Sequence, residues 1–77
     1  MNSLRRNLIS SISRELEDIK SRLETLKDEE QEYYDNVPDN LQGSERYDQA
    51  GEAVDNLDSA FSSLEEAIDY LNSVIEN

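Results

Sequence analysis

Carboxylates are the only abundant reactive side chains in this chain of 77 residues, which has 19 Asp and Glu but no His and no Cys. Acid–base catalysis by a pair such as Glu65 and Glu66 requires a pocket that perturbs their pKa values. The lack of His removes the usual general base near neutral pH, and the lack of Cys removes thiolate chemistry and disulfides. The sequence therefore predicts a protein that is not an enzyme and uses no cofactor.

Metal binding is not expected either. Carboxylate bundles that hold metals turn Glu and His toward the interior, typically as Glu-x-x-His. Here nearly all acids lie outside the hydrophobic pattern, and Glu30 is the one carboxylate within it. The stretch "DNVPDNLQG" is faintly similar to a calcium loop, but Val37 occupies a position that needs an oxygen ligand.

Three tyrosines, Tyr33, Tyr34 and Tyr47, lie on either side of the stretch "DNVPDNLQG". We expect them to seal one end of a helical structure. A stacking platform for a base or a peptide is the alternative, and the shortage of nearby basic residues to hold phosphate disfavours it.

Two long helices must position all of these groups. Apolar residues recur at alternating steps of three and four, which is a heptad pattern, from Ile9 to Leu26 and again from Tyr47 to Ile75. The pattern predicts helices over residues 3–34 and 44–76, with Asn2 or Ser3 and then Ser44 as N-caps. The loop over 35–43 is expected to hold one short turn opened by Pro38, with Leu41 folded back onto the end of the core.

The predicted fold is all-α: one domain, residues 1–77, forming an antiparallel two-helix hairpin that resembles a coiled coil. Its predicted core consists of Ile12, Leu16, Ile19, Leu23, Leu26, Val54, Leu57, Phe61, Leu64, Ile68 and Leu71.

A ladder of mostly small residues runs beside the hydrophobic pattern of the second helix, at Ala53, Ala60, Ala67 and Val74. Three apolar positions in every seven are typical of a helix that touches more than one neighbour. We therefore predict that the ladder is a self-association face, through which two hairpins pair as a homodimer in a four-helix bundle.

The net charge of −12 argues against direct binding to nucleic acid or to an anionic membrane. No apolar run approaches the ~20 residues that span a bilayer, and no signal-peptide core follows Met1, so a cytoplasmic location is expected. Residues 1–27 carry six basic and four acidic side chains, whereas residues 44–77 carry one basic and nine acidic side chains. Antiparallel pairing is expected to bring Arg5, Arg6 and Arg14 beside acids of the second helix.

These features predict a small, acidic, non-enzymatic protein-interaction module that associates with itself. The alternative is an inhibitor that mimics nucleic acid and binds a basic DNA- or RNA-binding protein, of the anti-restriction or anti-CRISPR type. Its mimicking surface would be a row of acids whose spacing of ~5–6 Å is close to that of DNA phosphates. The row consists of Asp48, Glu52, Asp55, Asp58, Glu65, Glu66 and Asp69. A solvated polar face is the simpler interpretation of the same residues.

Residues 28–68 carry two short motifs, "N-x-P-x-x-L-Q-x-S-E-R" across the loop and "E-A-x-D-N-L-x-x-A" in the second helix. On these motifs and the acidic end of the first helix, the chain resembles short uncharacterised acidic proteins of Gram-positive bacteria and their phages. The resemblance implies an accessory protein of a phage or another mobile element. It assigns no catalytic or ligand-binding residue.

Overall fold

The computed structural model describes residues 1–76, which form two long α-helices and a short connection. Helix α1 spans Ser3–Asp35, helix α2 spans Glu45–Glu76, and a 3-10 turn spans Asp39–Leu41, with no strand in this part of the chain. The helices pack against each other along a molecule that measures 60 × 14 × 14 Å. The predicted all-α hairpin is confirmed, with helix boundaries within one residue of the prediction. Asn77, the last residue of the predicted domain, lies outside the described residues.

Local hydrogen bonds explain where the helices begin. The Asn2 side chain accepts a hydrogen bond of 2.7 Å from the backbone N–H of Arg5, and the Ser44 hydroxyl accepts one of 3.2 Å from the backbone N–H of Tyr47. Each satisfies a donor that the first turn of a helix leaves unpaired. The turn after Pro38 also forms as predicted, because the Leu41 N–H donates to the Pro38 carbonyl oxygen at 2.9 Å.

A pair of stacked aromatic rings fills the loop end of the hairpin. The ring centroids of Tyr34 and Tyr47 lie 4.5 Å apart, with an angle of 11° between the ring planes. Leu41 is 51% exposed, so the expectation that it plugs the core is wrong. The tyrosine pair, with one ring from each helix, occupies that end, and the 3-10 turn leaves Leu41 outside.

The seam between the helices differs from the predicted core on α1. Here the seam means the row of residues on each helix that faces the other helix. On α2 it contains every predicted core residue, all buried or half-buried, from Val54 to Leu71. On α1, Leu16 and Leu23 lie in the seam as predicted, but Ile12, Ile19 and Leu26 are 48%, 40% and 56% exposed. Their places are taken by the residues one position later, namely Ser13, Lys20 and Lys27.

Three polar residues fit the α1 seam because each meets a partner there. The Nζ atoms of Lys20 and Lys27 lie 5.6 and 4.8 Å from the centroid of the Phe61 ring, so both ammonium groups face the ring while their aliphatic stems cover apolar surface. Lys27 also lies 3.4 Å from a carboxylate oxygen of Asp58. The buried Ser13 hydroxyl donates a hydrogen bond of 2.9 Å to the Asn72 side chain. The predicted core placement of Ile12, Ile19 and Leu26 is therefore wrong, since the contact face of α1 is turned by one residue.

Ion pairs contribute little to this packing. Over residues 1–76 they are Lys20–Glu17 and Arg22–Asp18 within α1, and Lys27–Asp58 between the helices. The predicted pairs of Arg5, Arg6 and Arg14 with acids of α2 do not form in this part of the chain. Exposed pairs are each worth only ~0–1 kcal/mol, so apolar burial and the polar contacts of the seam orient the helices instead.

The two glycines give a matched prediction. A Cβ atom on Gly51 would lie 3.1 Å from Cε1 of the Tyr34 ring, whereas nothing lies within 4 Å of one on Gly43. Gly43→Ala should raise the free energy of unfolding by about 0.4–1 kcal/mol, because it restricts the unfolded chain. Replacing a helical Gly by Ala usually raises the free energy of unfolding by about 1 kcal/mol. Gly51→Ala should show little of this gain, because the stacked Tyr34 ring has to move to make room for the new methyl group. Chemical denaturation measures both variants, and a larger gain at Gly51 than at Gly43 would contradict the close packing.

The stacked tyrosines also predict a loss of stability at alkaline pH. The pKa of Tyr47 is raised above its ordinary value of 10.0, first by a hydrogen-bond interaction with Tyr34 and then by burial and the negative charges nearby. A pKa that is raised in the folded state means that the protonated Tyr47 stabilises the fold. This contribution to the free energy of unfolding is complete below pH 10 and is lost as the pH rises through the folded-state pKa. The free energy of unfolding should therefore fall above pH 10 more steeply for the unchanged protein than for Tyr47→Phe. Equal slopes would show that the pair does not couple folding to protonation.

Candidate functional site: an exposed apolar face

A row of large apolar residues on α1 lies immediately before the seam residues Ser13, Lys20, Lys27 and Tyr34. On α2, the ladder residues likewise come immediately before the seam residues Val54, Phe61, Ile68 and Ile75. In an antiparallel pair, equivalent flanking positions of the two helices lie on the same side of the seam. Both rows therefore share one side of the hairpin, which we call the apolar face. It consists of Ile12, Ile19, Leu26 and Tyr33 from α1, and Ala53, Ala60, Ala67 and Val74 from α2.

The apolar face is open to solvent. Its four α1 residues are all exposed, Val74 is 37% exposed, Ala60 and Ala67 are exposed, and Ala53 is half-buried. Leu4 and Leu8 are 69% and 58% exposed and extend the exposed apolar surface toward the N-terminus, along the outer edge of the α1 row. The large side chains of the α1 row and the small ones of the α2 ladder lie side by side, so the apolar face forms a shallow groove. Large contiguous apolar surfaces are rare on monomeric soluble proteins, so this face is the candidate functional site.

The opposite side of the seam is polar. The two side-chain hydrogen bonds between the helices, Ser13–Asn72 and Lys27–Asp58, use the α2 residues that follow the seam instead of those that precede it. Equivalent positions on that side carry Glu17 on α1 and Glu65 on α2, both exposed. The hairpin therefore has one apolar side and one charged side.

The predicted acidic row lies on the charged and outer sides of α2, away from the apolar face. All seven residues from Asp48 to Asp69 are exposed. Of these seven acids, only Asp58 forms an ion pair within residues 1–76, and its partner is Lys27. The acidic row and the apolar face are thus separate surfaces.

A surface cleft of about 710 Å³ lies at the loop end, where Tyr33 joins the apolar face to the connection. Val37, Pro38 and Leu41 supply apolar walls, while Glu29, Glu32 and Arg46 supply charge at its edge. The cleft suits an apolar side chain that arrives with a basic neighbour, since the acids outnumber Arg46 by two to one.

The described residues hold no group of three or more Asp, Glu, His or Cys side chains that together could hold a metal ion. The three tyrosines divide between two places, since Tyr34 and Tyr47 stack on each other while Tyr33, 50% exposed, lies on the apolar face. This arrangement therefore offers an apolar surface that a second molecule could bury, with charged side chains along its edges. The sequence pattern predicts the α2 half of the face, but it places Ile12, Ile19 and Leu26 of the α1 half in the core.

Comparison with protein-family models, with curated proteins and with solved structures gave no match to this chain. Neither helix, over residues 1–76, has a stretch long and apolar enough to cross a membrane.

Proposed function

We propose that this protein is a small, non-enzymatic interaction module that associates with itself through the apolar face. The observation that supports the proposal is the exposure of Ile12, Ile19 and Leu26 on the same side as the alanine ladder. A hairpin that folded only for itself would gain by turning these three residues into its seam in place of Ser13, Lys20 and Lys27. The packing instead leaves α1 with apolar surface on two sides, as in a helix of a four-helix bundle.

The size of the hairpin also favours a partner. In residues 1–76, the buried residues are Ser13, Ala50 and Ile68, and even these keep 2–6% of their surface exposed. Chains below ~70–80 residues rarely build enough core alone and usually gain disulfides, a metal or a partner surface. The chain has no Cys, and the described residues hold no metal cluster. A second protein surface is the remaining means of stabilisation, and another copy of the chain is the simplest source of one.

In the proposed homodimer, two hairpins pack their apolar faces together as a four-helix bundle. The exposed alanines allow the helices of the two copies to approach closely, and the α1 rows supply the bulk of the new core. The acidic rows then face outward and keep the assembly soluble.

A matched pair of glutamates tests the proposal. Ala60 lies on the apolar face, while its neighbour Ser59 is exposed on the outer side of α2. Ala60→Glu should yield a helical monomer, because Glu is a good helix former but would bury a charge in the interface. Ser59→Glu adds the same charge and should leave the dimer intact. Light scattering after size exclusion, with circular dichroism on the same samples, measures both. The proposal fails if the two variants associate equally, or if the unchanged protein is a monomer at tens of micromolar.

The second candidate function is mimicry of nucleic acid, and the observation in its favour is the exposure of all seven acids in the row. Six of the seven have no ion-pair partner within residues 1–76, so they are available to a basic protein. A complex of this kind should weaken steeply with ionic strength, while apolar docking should not. Titration against a basic DNA- or RNA-binding protein at low and high salt separates the two functions. In either case we also propose an accessory role in a phage or another mobile element, an expectation drawn from the two motifs within residues 28–68.

A further inference from the structure

We propose a specific pairing for the second copy: α1 packs against α1 of that copy, antiparallel, with Ile19 on the two-fold axis and Glu15 beside Arg22 of the second copy. The inference rests on the proposed self-association and adds its geometry. Two hairpins can pack their apolar faces together in two ways that keep every pair of neighbouring helices antiparallel. One pairs α1 with α1 and α2 with α2, and the other pairs α1 with α2 of the second copy.

Charge beside the apolar face favours the first arrangement. We call the positions four residues before each member of the α1 row its outer edge. They are occupied by Leu8, Glu15, Arg22 and Glu29. The equivalent edge of the α2 ladder carries the uncharged residues Gln49, Asn56, Ser63 and Tyr70. The charged edge meets opposite charge only when α1 pairs with α1, and the acidic α2 helices then meet through neutral edges. Complementary charge of this type sets orientation and register more than affinity.

Charge also selects one register for the antiparallel α1 helices. With Ile19 on the two-fold axis, Ile12 faces Leu26 of the second copy, and Glu15 lies beside Arg22 of the second copy on each side. A shift of one heptad would instead bring Arg22 beside Arg22 and Glu15 beside Glu29. Like charges at such positions oppose association, so the first register is the favoured one.

The ends of the hairpin agree with this register. It brings Arg5 of one copy to Tyr33 of the second copy, between Glu29 and Glu32. Met1 and Leu4, which are 58% and 69% exposed, then reach the apolar cleft at the loop end of the second copy. The cleft thus receives apolar side chains with a basic neighbour, as its lining requires. One side of a molecule that measures 60 by 14 Å has a projected area on the order of 800 Å², which is large enough to hold what one partner contributes to a stable interface.

Cysteine cross-linking tests the geometry, because the chain has no Cys of its own. Facing helices in a bundle lie ~8–10 Å apart, so a short thiol cross-linker joins only residues at the same height. Ile19→Cys should cross-link to itself, and Leu26→Cys should not, because its two copies would be ~21 Å apart along the bundle. A mixture of Ile12→Cys and Leu26→Cys should give the mixed product in excess of either self-product.

The outcomes separate the geometry from the proposed function. Light scattering first establishes that each cysteine variant associates as the unchanged protein does. Cross-linking of Ile12→Cys to Val74→Cys, which lie at the same height only when α1 faces α2 of the second copy, would overturn the α1–α1 pairing. A product of Ile12→Cys with Tyr33→Cys would overturn the register. In both cases self-association would stand. A monomer by light scattering would end the proposed function and this geometry together.

A charge reversal tests the Glu15–Arg22 contact itself. Glu15→Arg and Arg22→Glu should each weaken the dimer by roughly tenfold, and the double variant should recover most of that loss, because it exchanges the two charges within the same contact. If the double variant dimerises no more tightly than the weaker of the two single variants, the proposed contact between Glu15 and Arg22 is wrong.

Discussion

Replacing both Ile19 and Leu26 with glutamine should leave the hairpin folded and abolish its self-association at tens of micromolar. Both residues are roughly half-exposed on the apolar face, and glutamine is a good helix former. Full burial of such a side chain is worth about 1.5–3 kcal/mol, so burying the exposed half contributes about 1 kcal/mol for each residue. A dimer holds four such residues, and their loss weakens it by about a thousandfold. Sedimentation velocity and circular dichroism on one sample measure assembly and helix content.

The matched control replaces Leu16 and Leu23, each three residues earlier, with glutamine. These residues lie in the seam, so the hairpin itself should lose most of its helix signal in this variant. The comparison distinguishes the observed seam from the one that the heptad pattern predicts. If the Ile19 and Leu26 variant unfolds as readily as the control, those side chains belong to the core of the hairpin and the apolar face does not exist.

The second large effect is expected at Ile68, whose side chain is the most buried large one in residues 1–76, at 2% exposure. Ile68→Ala should lower the free energy of unfolding by about 2–5 kcal/mol, because it leaves a cavity between the helices. That loss is a large share of the total stability of a small domain. The measurement is chemical denaturation in the monomeric Ile19 and Leu26 double-glutamine background, so that dimer dissociation does not contribute.

Val74→Ala in the same background is the matched control. Val74 is 37% exposed on the apolar face, so its truncation should cost well under the loss at Ile68. Equal losses at the two positions would mean that α2 packs against α1 through a different side from the one described.

Most of the fold follows from the sequence, because its signals are local or strictly periodic. Asn2 and Ser44 cap the helices as their side-chain chemistry predicts, and Pro38 opens the short turn. The α2 seam is also predictable, since its apolar residues repeat without interruption from Val54 to Leu71. The antiparallel arrangement requires only the short connection between two helices of similar length.

The register of α1 could not be derived from its apolar pattern. Two adjacent rows compete for the seam, and the pattern favours the fully apolar one, with Ile12, Ile19 and Leu26. The structure selects the row with Lys20 and Lys27, because their stems are apolar and Phe61 accepts both ammonium groups over its ring. A contact between side chains 34 or 41 residues apart has no periodic signature in the sequence. The apolar pattern therefore does not reveal the α1 half of the apolar face, although the alanine ladder predicts a second neighbour for α2.

The central claim is that the apolar face is covered by a second copy, and the mass of the unchanged chain in solution tests it most directly. Sedimentation equilibrium from micromolar to tens of micromolar should show a dimer of twice the 8.9 kDa chain mass. The mass should persist at high salt, since apolar contact dominates the interface. A single species of 8.9 kDa throughout this range would contradict the account and leave the apolar face to a different protein.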